Sequence, residues 1–523
     1  MKKLYLLSLF ALFASLLLLL SSCDLASLGF GEDSADSAPS VGLAFSSHGD
    51  GTCALKGIGT CEDLDVVIPD TAPNGDRVTE IAASAFEDCD SLLSVVIPDG
   101  VEKIEKRAFS GCTTLLRLTV PESVTEIGDY AFDGCSGLTS LSLSAAVEKI
   151  GGNPVSGCTN LSSITVAEGN TVYHSAGNCL IETETRLLIA GCKSSVIPKD
   201  GSVTAIGAYA FLGCKLTDPF EIPEGIERIG KYAFYSCEGL TSVTVPPSVT
   251  EIGEWAFARC DSLASLWLSQ CKTEIGKYAF YSCEGLTSVT VADSELSLDT
   301  SVFDSCEGLT SVMVADSELS LDSSLFYSCE ALETVVITDS TVVLDGWPFE
   351  GCDSLSLLRV VGGKTTVKDM AFSSCGKDLA VEFLGGDVTI ALSAFRDCSG
   401  LASLKITDAT ASIDFKAFYG CTGLSSVELS GERITVDNDA FGDCTALSSL
   451  KLGAGVTELG TDAFSGCSAL RTVVIPSCVE RMGHDVFSGC PELTVFVERE
   501  SAPYAWPSNW NGSASVEWGY KGD

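Results

Sequence analysis

The sequence predicts a β-rich solenoid, a curved right-handed rod of about 18 coils with a parallel β-sheet on one face and short strands with 3₁₀ or helical turns on the other. The motif Ala-Phe-x-x-Cys recurs in 17 modules at a step of 23 residues, with one 33-residue insertion between Val155 (which replaces a phenylalanine) and Phe211. Each module also carries alternating apolar residues and turn signals at fixed offsets. One coil cannot bury its own apolar side chains, whereas stacked coils can, so the period itself indicates a rod.

The first 23 residues have the pattern of a bacterial lipoprotein signal. A basic start precedes an apolar run over 4–20, and the tetrapeptide LSSC that ends at Cys23 is similar to a lipobox. This similarity implies cleavage before Cys23 and lipid on that residue. We therefore predict a signal peptide over 1–22, then the lipidated Cys23 with a flexible tether over 23–40, and an exported membrane lipoprotein. The alternative is an ordinary secretory signal with an incidental cysteine.

Within a module the predicted elements follow one another in a fixed order. In residues 237–260, the stretch 240–245 alternates between apolar and polar residues, which predicts a strand with one buried face, and the Pro-Pro pair that follows ends it. A shorter extended piece runs up to an Ile-Gly pair, where the glycine permits the next bend. Phe257 and Cys260 stand three residues apart, which predicts a short helical or 3₁₀ turn.

The complete module, LTSVTVPxSVTEIGxxAFxxC, resembles the leucine-rich repeat of BspA-like bacterial surface proteins. The resemblance implies a leucine-rich-repeat solenoid that binds host matrix or plasma proteins, or other cells, at the cell surface, and it implies no catalytic residues. With the repeat phasing, it divides the chain into an N-terminal cap and first coil over 41–85, a first repeat block over 86–166, a hairpin insertion over 167–205, a second block over 206–498 and an aromatic C-terminal cap over 499–523.

Composition narrows the classes of function. The chain has 71 acidic against 31 basic residues, a formal net charge of −40, so it repels nucleic acid and anionic lipid headgroups, and membrane contact is expected through the lipid anchor only. We predict an adhesion or protein-interaction protein that is not an enzyme and has no cofactor, with loosely held Ca²⁺ or Mg²⁺ left open. Two alternatives are a structural or antigenic surface spacer without a specific ligand and, more remotely, a solenoid glycan hydrolase or lyase using Glu382 and Glu428.

Seventeen of the 24 cysteines lie in the repeat column. Neighbours in register have parallel Cβ vectors about 4.8 Å apart, whereas a disulfide needs crossed vectors and a Cβ–Cβ distance near 3.8 Å. The column is therefore predicted to consist of buried thiols that pack as small apolar groups. Outside the column, Cys53–Cys61 and Cys179–Cys192 are left open as disulfide pairs.

Columns of residues 23 apart give the candidate sites, because such residues lie side by side on neighbouring coils. Trp267, Met313 and Val336, with Leu357 beside them, place apolar groups on the solvent side of the first strand. We predict a protein-binding site there, against the alternative of scattered surface apolar residues. A charged row alternates in sign and predicts an ion-pair ladder: Arg359, Glu382, Lys405, Glu428 and Lys451.

Two further columns have two interpretations each. An acidic stripe directly follows the column cysteines and is interpreted either as a weak site for cations or a basic partner, or as a solvated surface. Its members are Glu238, Asp261, Glu284, Glu307, Glu330 and Asp353. An aromatic column of Tyr209, Tyr232, Trp255 and Tyr278 is interpreted either as stacking between coils or as a platform for a sugar or peptide.

Overall fold

The computed structural model describes residues 38–216, 219–321, 324–372 and 377–522. Over these ranges the chain winds into a β-solenoid of about 20 turns without helices, which confirms the predicted fold class. The predicted signal peptide, Cys23 and most of the tether lie outside the described residues. In the described part of the chain, no helical segment is long and apolar enough to cross a membrane.

The rod begins with a cap and two parallel sheets. The antiparallel hairpin of β1 (Ala44–Ser47) and β2 (Thr52–Gly57) pairs in parallel with the sheet on one side of the rod, which we call face 2. On the other side, which we call face 1, lie the strands that follow the column cysteines. Face 1 contains β3 (Asp65–Val67), β5 (Ser94–Val96), β7 (Arg117–Thr119), β9 (Ser140–Leu143) and β11 (Ser163–Val166), and face 2 contains β4 (Arg77–Ile81), β6 (Lys103–Ile104), β8 (Glu126–Ile127) and β10 (Lys149–Ile150).

An antiparallel insertion interrupts the regular coils. It consists of β12 (Tyr173–Ala176), β13 (Cys179–Glu182) and β14 (Leu187–Ala190), and β14 then pairs in parallel with β15 (Ala205–Ile206). Side chains of this hairpin pack into both neighbouring cores, since Leu180 belongs to the core of the first block and Ile181 to that of the second. The insertion therefore joins the two blocks into one rod.

The second block has the same two faces, and each strand pairs with the equivalent strand of the next coil. Face 1 contains β17 (Ser242–Val245), β19 (Ser265–Ser269), β21 (Ser288–Ala292), β23 (Ser311–Ala315), β25 (Thr334–Thr338), β27 (Leu357–Val361), β29 (Leu379–Leu384), β33 (Ser449–Leu452), β35 (Thr472–Ile475), β37 (Thr494–Val497) and β38 (Ser515–Trp518). Face 2 contains β16 (Arg228–Ile229), β18 (Glu251–Ile252), β20 (Lys272–Ile275), β22 (Glu295–Leu298), β24 (Glu318–Leu321), β26 (Thr341–Leu344), β28 (Lys364–Val367), β30 (Asp387–Ile390), β34 (Val456–Leu459) and β36 (Arg481–Met482). Two long strands, β31 (Leu401–Ile413) and β32 (Ser426–Val436), run through both faces.

The third side of each coil is a turn segment around the Ala-Phe-x-x-Cys motif, which we call the turn edge. It was predicted as a short helical or 3₁₀ turn, and the structure shows no regular helix there. The backbone is left-handed both two residues before and two residues after the phenylalanine, with φ of +59° at Trp255 and +57° at Arg259 on either side of Phe257. These two positions break any helical repeat and leave only isolated hydrogen bonds between residues three apart. In the preceding coil, for example, the N–H of Cys237 donates to the carbonyl of Phe234 at 3.2 Å.

Phenylalanines and cysteines of the turn edge form two ladders in the core, and the phenylalanine ladder is interrupted at Val155. The rings of successive coils stack, with centroid separations from 4.4 Å for Phe372–Phe395 to 5.8 Å for Phe464–Phe487. Thirteen column cysteines donate their S–H group to the phenylalanine carbonyl 26 residues earlier, at 3.0–3.4 Å. The C-terminal end of the ring stack is covered by Trp510, which meets Phe487 edge to face at 6.4 Å.

The cysteine prediction holds in most of the column and is wrong in one place. The other described column cysteines are free thiols, but Cys398 is disulfide-bonded, and its partner lies outside the described residues. Parallel Cβ vectors require a regular coil, and the register shift between Leu379 and Ala380, where β29 pairs with β31, makes the coil before Cys398 irregular. Cys53, Cys61, Cys179 and Cys192 are all free thiols, so neither pair that was left open is joined in the structure.

Candidate interaction surfaces

Face 1 aligns the outward side chains of neighbouring strands into straight rows. Trp267 lies beside Thr290, Thr290 beside Met313, and Met313 beside Val336. Trp267 is 50 % exposed and Met313 52 % exposed, whereas Val336 is half-buried. Met313 and Val336 are therefore neighbours in one row. Trp267 lies in the same row two strands before Met313, with Thr290 between them.

Leu357 occupies a neighbouring row and extends the same surface. It pairs with Thr334 on the preceding strand and is half-buried. We refer to Trp267, Met313, Val336 and Leu357 together as the face 1 patch. Its members lie within five consecutive strands, so a partner that covers them contacts a length of about 20 Å along the rod at roughly 4.8 Å per strand.

A third row of face 1 was missed in the sequence. Ala292, Ala315, Thr338, Val361 and Leu384 are in register at the ends of their strands and are all half-buried. They were overlooked because the module 237–260 ends its strand at a proline, and the strands of these coils are longer. The absence of that proline after Val291 and its equivalents was the available signal. This row makes the centre of face 1 more apolar than the sequence columns alone indicated.

The charged row continues the row of Met313 and Val336, but only its first two residues, Arg359 and Glu382, form an ion pair. Arg359 donates from Nε to a carboxylate oxygen of Glu382 at 2.7 Å, with both side chains partly exposed. Lys405, Glu428 and Lys451 follow in register, yet within the described ranges no ion pair joins them. Lys405 and Glu428 are half-buried and Lys451 is exposed, and all three lie on strands beyond the face 1 patch.

The acidic stripe lies at the corner between the turn edge and face 1, with one carboxylate on each coil. All six side chains are exposed, and Glu238 forms an ion pair with Lys215 at 2.9 Å. Among the described residues there is no group of three or more His, Cys, Asp or Glu side chains placed to hold a metal ion. The interpretation as a weak stripe for cations or a basic partner stays a prediction.

The aromatic column forms a stack between coils. Ring centroids are 5.0 Å apart for Tyr209–Tyr232, 6.0 Å for Tyr232–Trp255 and 4.6 Å for Trp255–Tyr278. The Nζ atom of Lys277 lies 4.7 Å from the ring centroid of Tyr278. Because the rings cover one another's faces, the geometry favours stacking over a platform that presents open ring faces to a sugar.

Comparison with known proteins identifies the family. The model of the BspA-type leucine-rich repeat region matches residues 76–185, 204–333, 273–383, 319–418 and 388–501, which is more than half of the chain. The chain belongs to the BspA-type leucine-rich-repeat family. The match indicates a repeat protein of a fold that is typically not catalytic, and it indicates no enzymatic family.

Solved structures of bacterial leucine-rich-repeat proteins are similar to this BspA-type chain at low identity. A leucine-rich repeat protein from Bacteroides ovatus is 19 % identical over 92 % of this chain and 99 % of its own, with a TM-score of 0.40. One from Eubacterium ventriosum is 17 % identical over 90 % and 97 %, with a TM-score of 0.38. The pneumococcal vaccine antigen PcpA is 18 % identical over 67 % and 93 %, with a TM-score of 0.40. No curated protein matches the chain.

Proposed function

We propose that this protein is an exported, lipid-anchored surface protein that binds host matrix or plasma proteins, or proteins of other cells, through face 1. The face 1 patch carries the proposal. Trp267 and Met313 are half exposed on a sheet of a chain with a net charge of −40, where the ordinary outward residues are serine and threonine. Exposed tryptophan and methionine are enriched at protein–protein interfaces, and apolar side chains of this size are otherwise rare on such a surface.

The test is loss of binding without loss of fold. The chain from residue 24 onward is immobilised and exposed to serum or matrix extract, and bound proteins are identified by mass spectrometry. In the Trp267→Ala/Met313→Ser variant we expect the captured partner to bind more than about 1 kcal/mol more weakly, because truncated hot-spot side chains typically have effects of that size. The melting temperature should change little, since both side chains are half exposed.

A matched control lies in the same row of outward residues. Thr244 pairs with Trp267 on the neighbouring strand, so Thr244→Ala changes the row without changing its apolar part. We expect this variant to bind as the wild type does. Equal binding by all three proteins, or no captured partner at all, would leave the structural spacer as the better interpretation.

Lipid anchoring through Cys23 is a separate part of the proposal. It is supported by the LSSC tetrapeptide at the end of the apolar segment. The variant Cys23→Ala should lose fatty-acid labelling and either leave the membrane fraction or accumulate as an uncleaved precursor. Unchanged membrane association together with an unlabelled Cys23 in the wild type would contradict the anchor, and it would leave the binding role of face 1 standing.

A further inference from the structure

The turn edge carries a second exposed apolar surface, on a different side of the rod from the face 1 patch. Trp347 is 47 % exposed, Met370 46 %, Leu392 44 % and Phe415 38 %. These four side chains belong to four consecutive coils, in the two positions that precede the Ala-Phe pair. We call them the turn-edge stripe. At about 4.8 Å per coil the stripe extends roughly 14 Å along the rod and shifts by one residue position between Met370 and Leu392.

Backbone conformation at the stripe opposes the residues that occupy it. Trp347 has φ of +59° and Met370 φ of +58°, in the left-handed region where large side chains are strained. Some coils fill the same position with short polar residues such as Asp439, Asp462 and Asp485, which tolerate this conformation better, and others fill it with large side chains, among them Arg107 and the aromatic column. The tryptophan and the methionine therefore occupy, at two adjacent coils, a backbone conformation that short polar residues adopt with less strain.

Packing between coils does not account for this choice. In the aromatic column each ring stacks on the next, and this contact offsets the strain at Tyr232 or Trp255. Trp347 has no stacked ring among the described residues, because Ser324 precedes it in the column and Met370 follows it. About half of its surface is left in water, so it gains less than a buried tryptophan does.

The border of the stripe is acidic. Glu350, Asp353 and Asp369 are exposed beside the Trp347–Met370 end. The neighbouring cations are engaged within the protein: Lys368 pairs with Asp345 at 3.0 Å, and the Nζ atom of Lys416 lies 5.0 Å from the ring centroid of Phe415. A ligand with positive charge on either side of an apolar ridge is complementary to this surface.

We propose that the turn-edge stripe binds a cationic amphipathic helix, with the apolar ridge of the helix along the four side chains. A ridge of apolar residues at positions i, i+4, i+7 and i+11 spans about 16 Å at 1.5 Å per residue, close to the length of the stripe. Lysines or arginines that flank the ridge then face the exposed carboxylates. This recognition mode uses a helix against an apolar strip, and it involves neither face 1 nor the anchor.

The experiment uses the full soluble chain and a synthetic peptide of 14 residues with leucines at those four positions and lysines beside them. A peptide of the same composition in scrambled order is the charge control. We expect the amphipathic peptide to gain helical circular dichroism on binding and to bind at least tenfold more tightly than the scrambled one in a titration by fluorescence anisotropy. Equal binding by the two peptides would show that only net charge is recognised and would overturn the proposal.

Variants then locate the site and separate it from the role of face 1. Trp347→Asn/Met370→Asn should weaken binding of the amphipathic peptide at least tenfold while keeping or raising the melting temperature, since asparagine tolerates the left-handed backbone. Trp267→Ala/Met313→Ser should bind this peptide as the wild type does, whatever its effect on the partner of face 1. Unchanged binding in the asparagine variant, or a melting temperature lowered by several degrees, would assign these two side chains to packing and overturn the proposal.

Discussion

The column cysteine of most coils combines two properties that alanine and serine each lack in part. It fills an apolar position, and its S–H group donates to a buried carbonyl of the preceding coil, as Cys352 does to Phe326 at 3.2 Å. Alanine lacks the donor, and serine is less apolar. This explains why a protein predicted to be exported keeps a column of free thiols: the column serves packing, and the thiols are buried away from other reactants.

These buried thiols predict a decline of stability at alkaline pH. Burial raises the pKa of Cys214 and of Cys352 to about 12, from an ordinary value of 9.0. In the unfolded chain the thiols lose their protons near pH 9 while the folded chain retains them, so their contribution to stability is complete below pH 9 and declines as the pH rises towards 12. We expect a melting temperature that is nearly level from pH 6 to about pH 8.5 and falls above pH 9.

The variant Cys214→Ala/Cys352→Ala tests the origin of that decline. It should start from a lower melting temperature at pH 7, because two buried side chains are truncated, and it should fall less steeply above pH 9 than the wild type. Differential scanning calorimetry across this pH range provides the measurement. Parallel curves for the two proteins would mean that groups other than these thiols cause the alkaline decline.

At the scale of elements, the corners between the faces differ from coil to coil, and two kinds of corner illustrate the difference. Where a proline follows the first strand, as at Pro246, the face 2 strand has two residues, such as β18. In the central coils the corner is an Ala-Asp-Ser or Thr-Asp-Ser segment, and the face 2 strand has four residues, as in β22 and β24. Asp293, Asp316 and Asp339 take the left-handed position of this corner, with φ of +46° to +49°.

This difference shows what the sequence could and could not predict. A period of 23 residues determines the solenoid, the registers and the core positions, because those depend only on which residues stack. It does not determine how each coil divides its residues between strands and corners. We generalised from the module 237–260, which has a proline corner, and so missed the longer strands and the row that begins at Ala292. The turn edge was predicted as a turn from the spacing of three residues, but that spacing does not reveal its two left-handed positions.

The serine of the central corners is predicted to be a strong local determinant of stability. Ser317 accepts a hydrogen bond from the N–H of Ser294 at 3.1 Å and donates to the carbonyl of Ala315 at 2.6 Å. Because Ser294 is 3 % exposed, Ser317→Ala leaves a buried N–H without an acceptor, which costs about 1–3 kcal/mol. The variant Ser311→Ala, on the half-buried outer side of the same coil, should have a much smaller effect.

Hydrogen exchange provides the direct measurement for this corner. The amide of Ser294 should exchange faster in Ser317→Ala than in the wild type or in Ser311→Ala, and the melting temperature should fall only in Ser317→Ala. If the amide of Ser294 keeps its protection in Ser317→Ala, another acceptor replaces the hydroxyl of Ser317, and the prediction that this serine determines local stability is wrong.

At the scale of the whole molecule, each coil contacts only its neighbours, so the rod behaves as a linear array. Surfaces are consequently rows along the axis, and a binding site can be lengthened or shortened by whole coils. The two proposed surfaces are both rows of this kind, but they lie on different parts of the coil. The face 1 patch follows sheet strands, and the turn-edge stripe follows left-handed turns. Their positions along the chain overlap between residues 347 and 357.

The array predicts that one central coil can be removed without loss of the fold. Deleting residues 284–306 joins Cys283 to Glu307 and leaves every interaction with an equivalent partner. Leu266 would pair with Val312 in place of Val289, and the N–H of Cys271 would find the hydroxyl of Ser317 in place of that of Ser294. We expect a folded, monodisperse protein whose melting temperature lies within a few degrees of the wild type.

A deletion one residue shorter, 284–305, is the matched control. It leaves one extra residue at the new junction, where Cys306 directly follows Cys283. Because side chains alternate between the two sides of a strand, the strand Ser311–Ala315 must then either bulge or turn its apolar side chains outwards against the coil before it. We expect that protein to aggregate or to lose cooperative unfolding, as judged by size-exclusion chromatography and circular dichroism. The deletion of 284–306 also places Trp267 directly beside Met313, so it should retain or strengthen binding at face 1. Aggregation of both deletion proteins would show that the coils are not interchangeable and that the central stretch folds only as a unit.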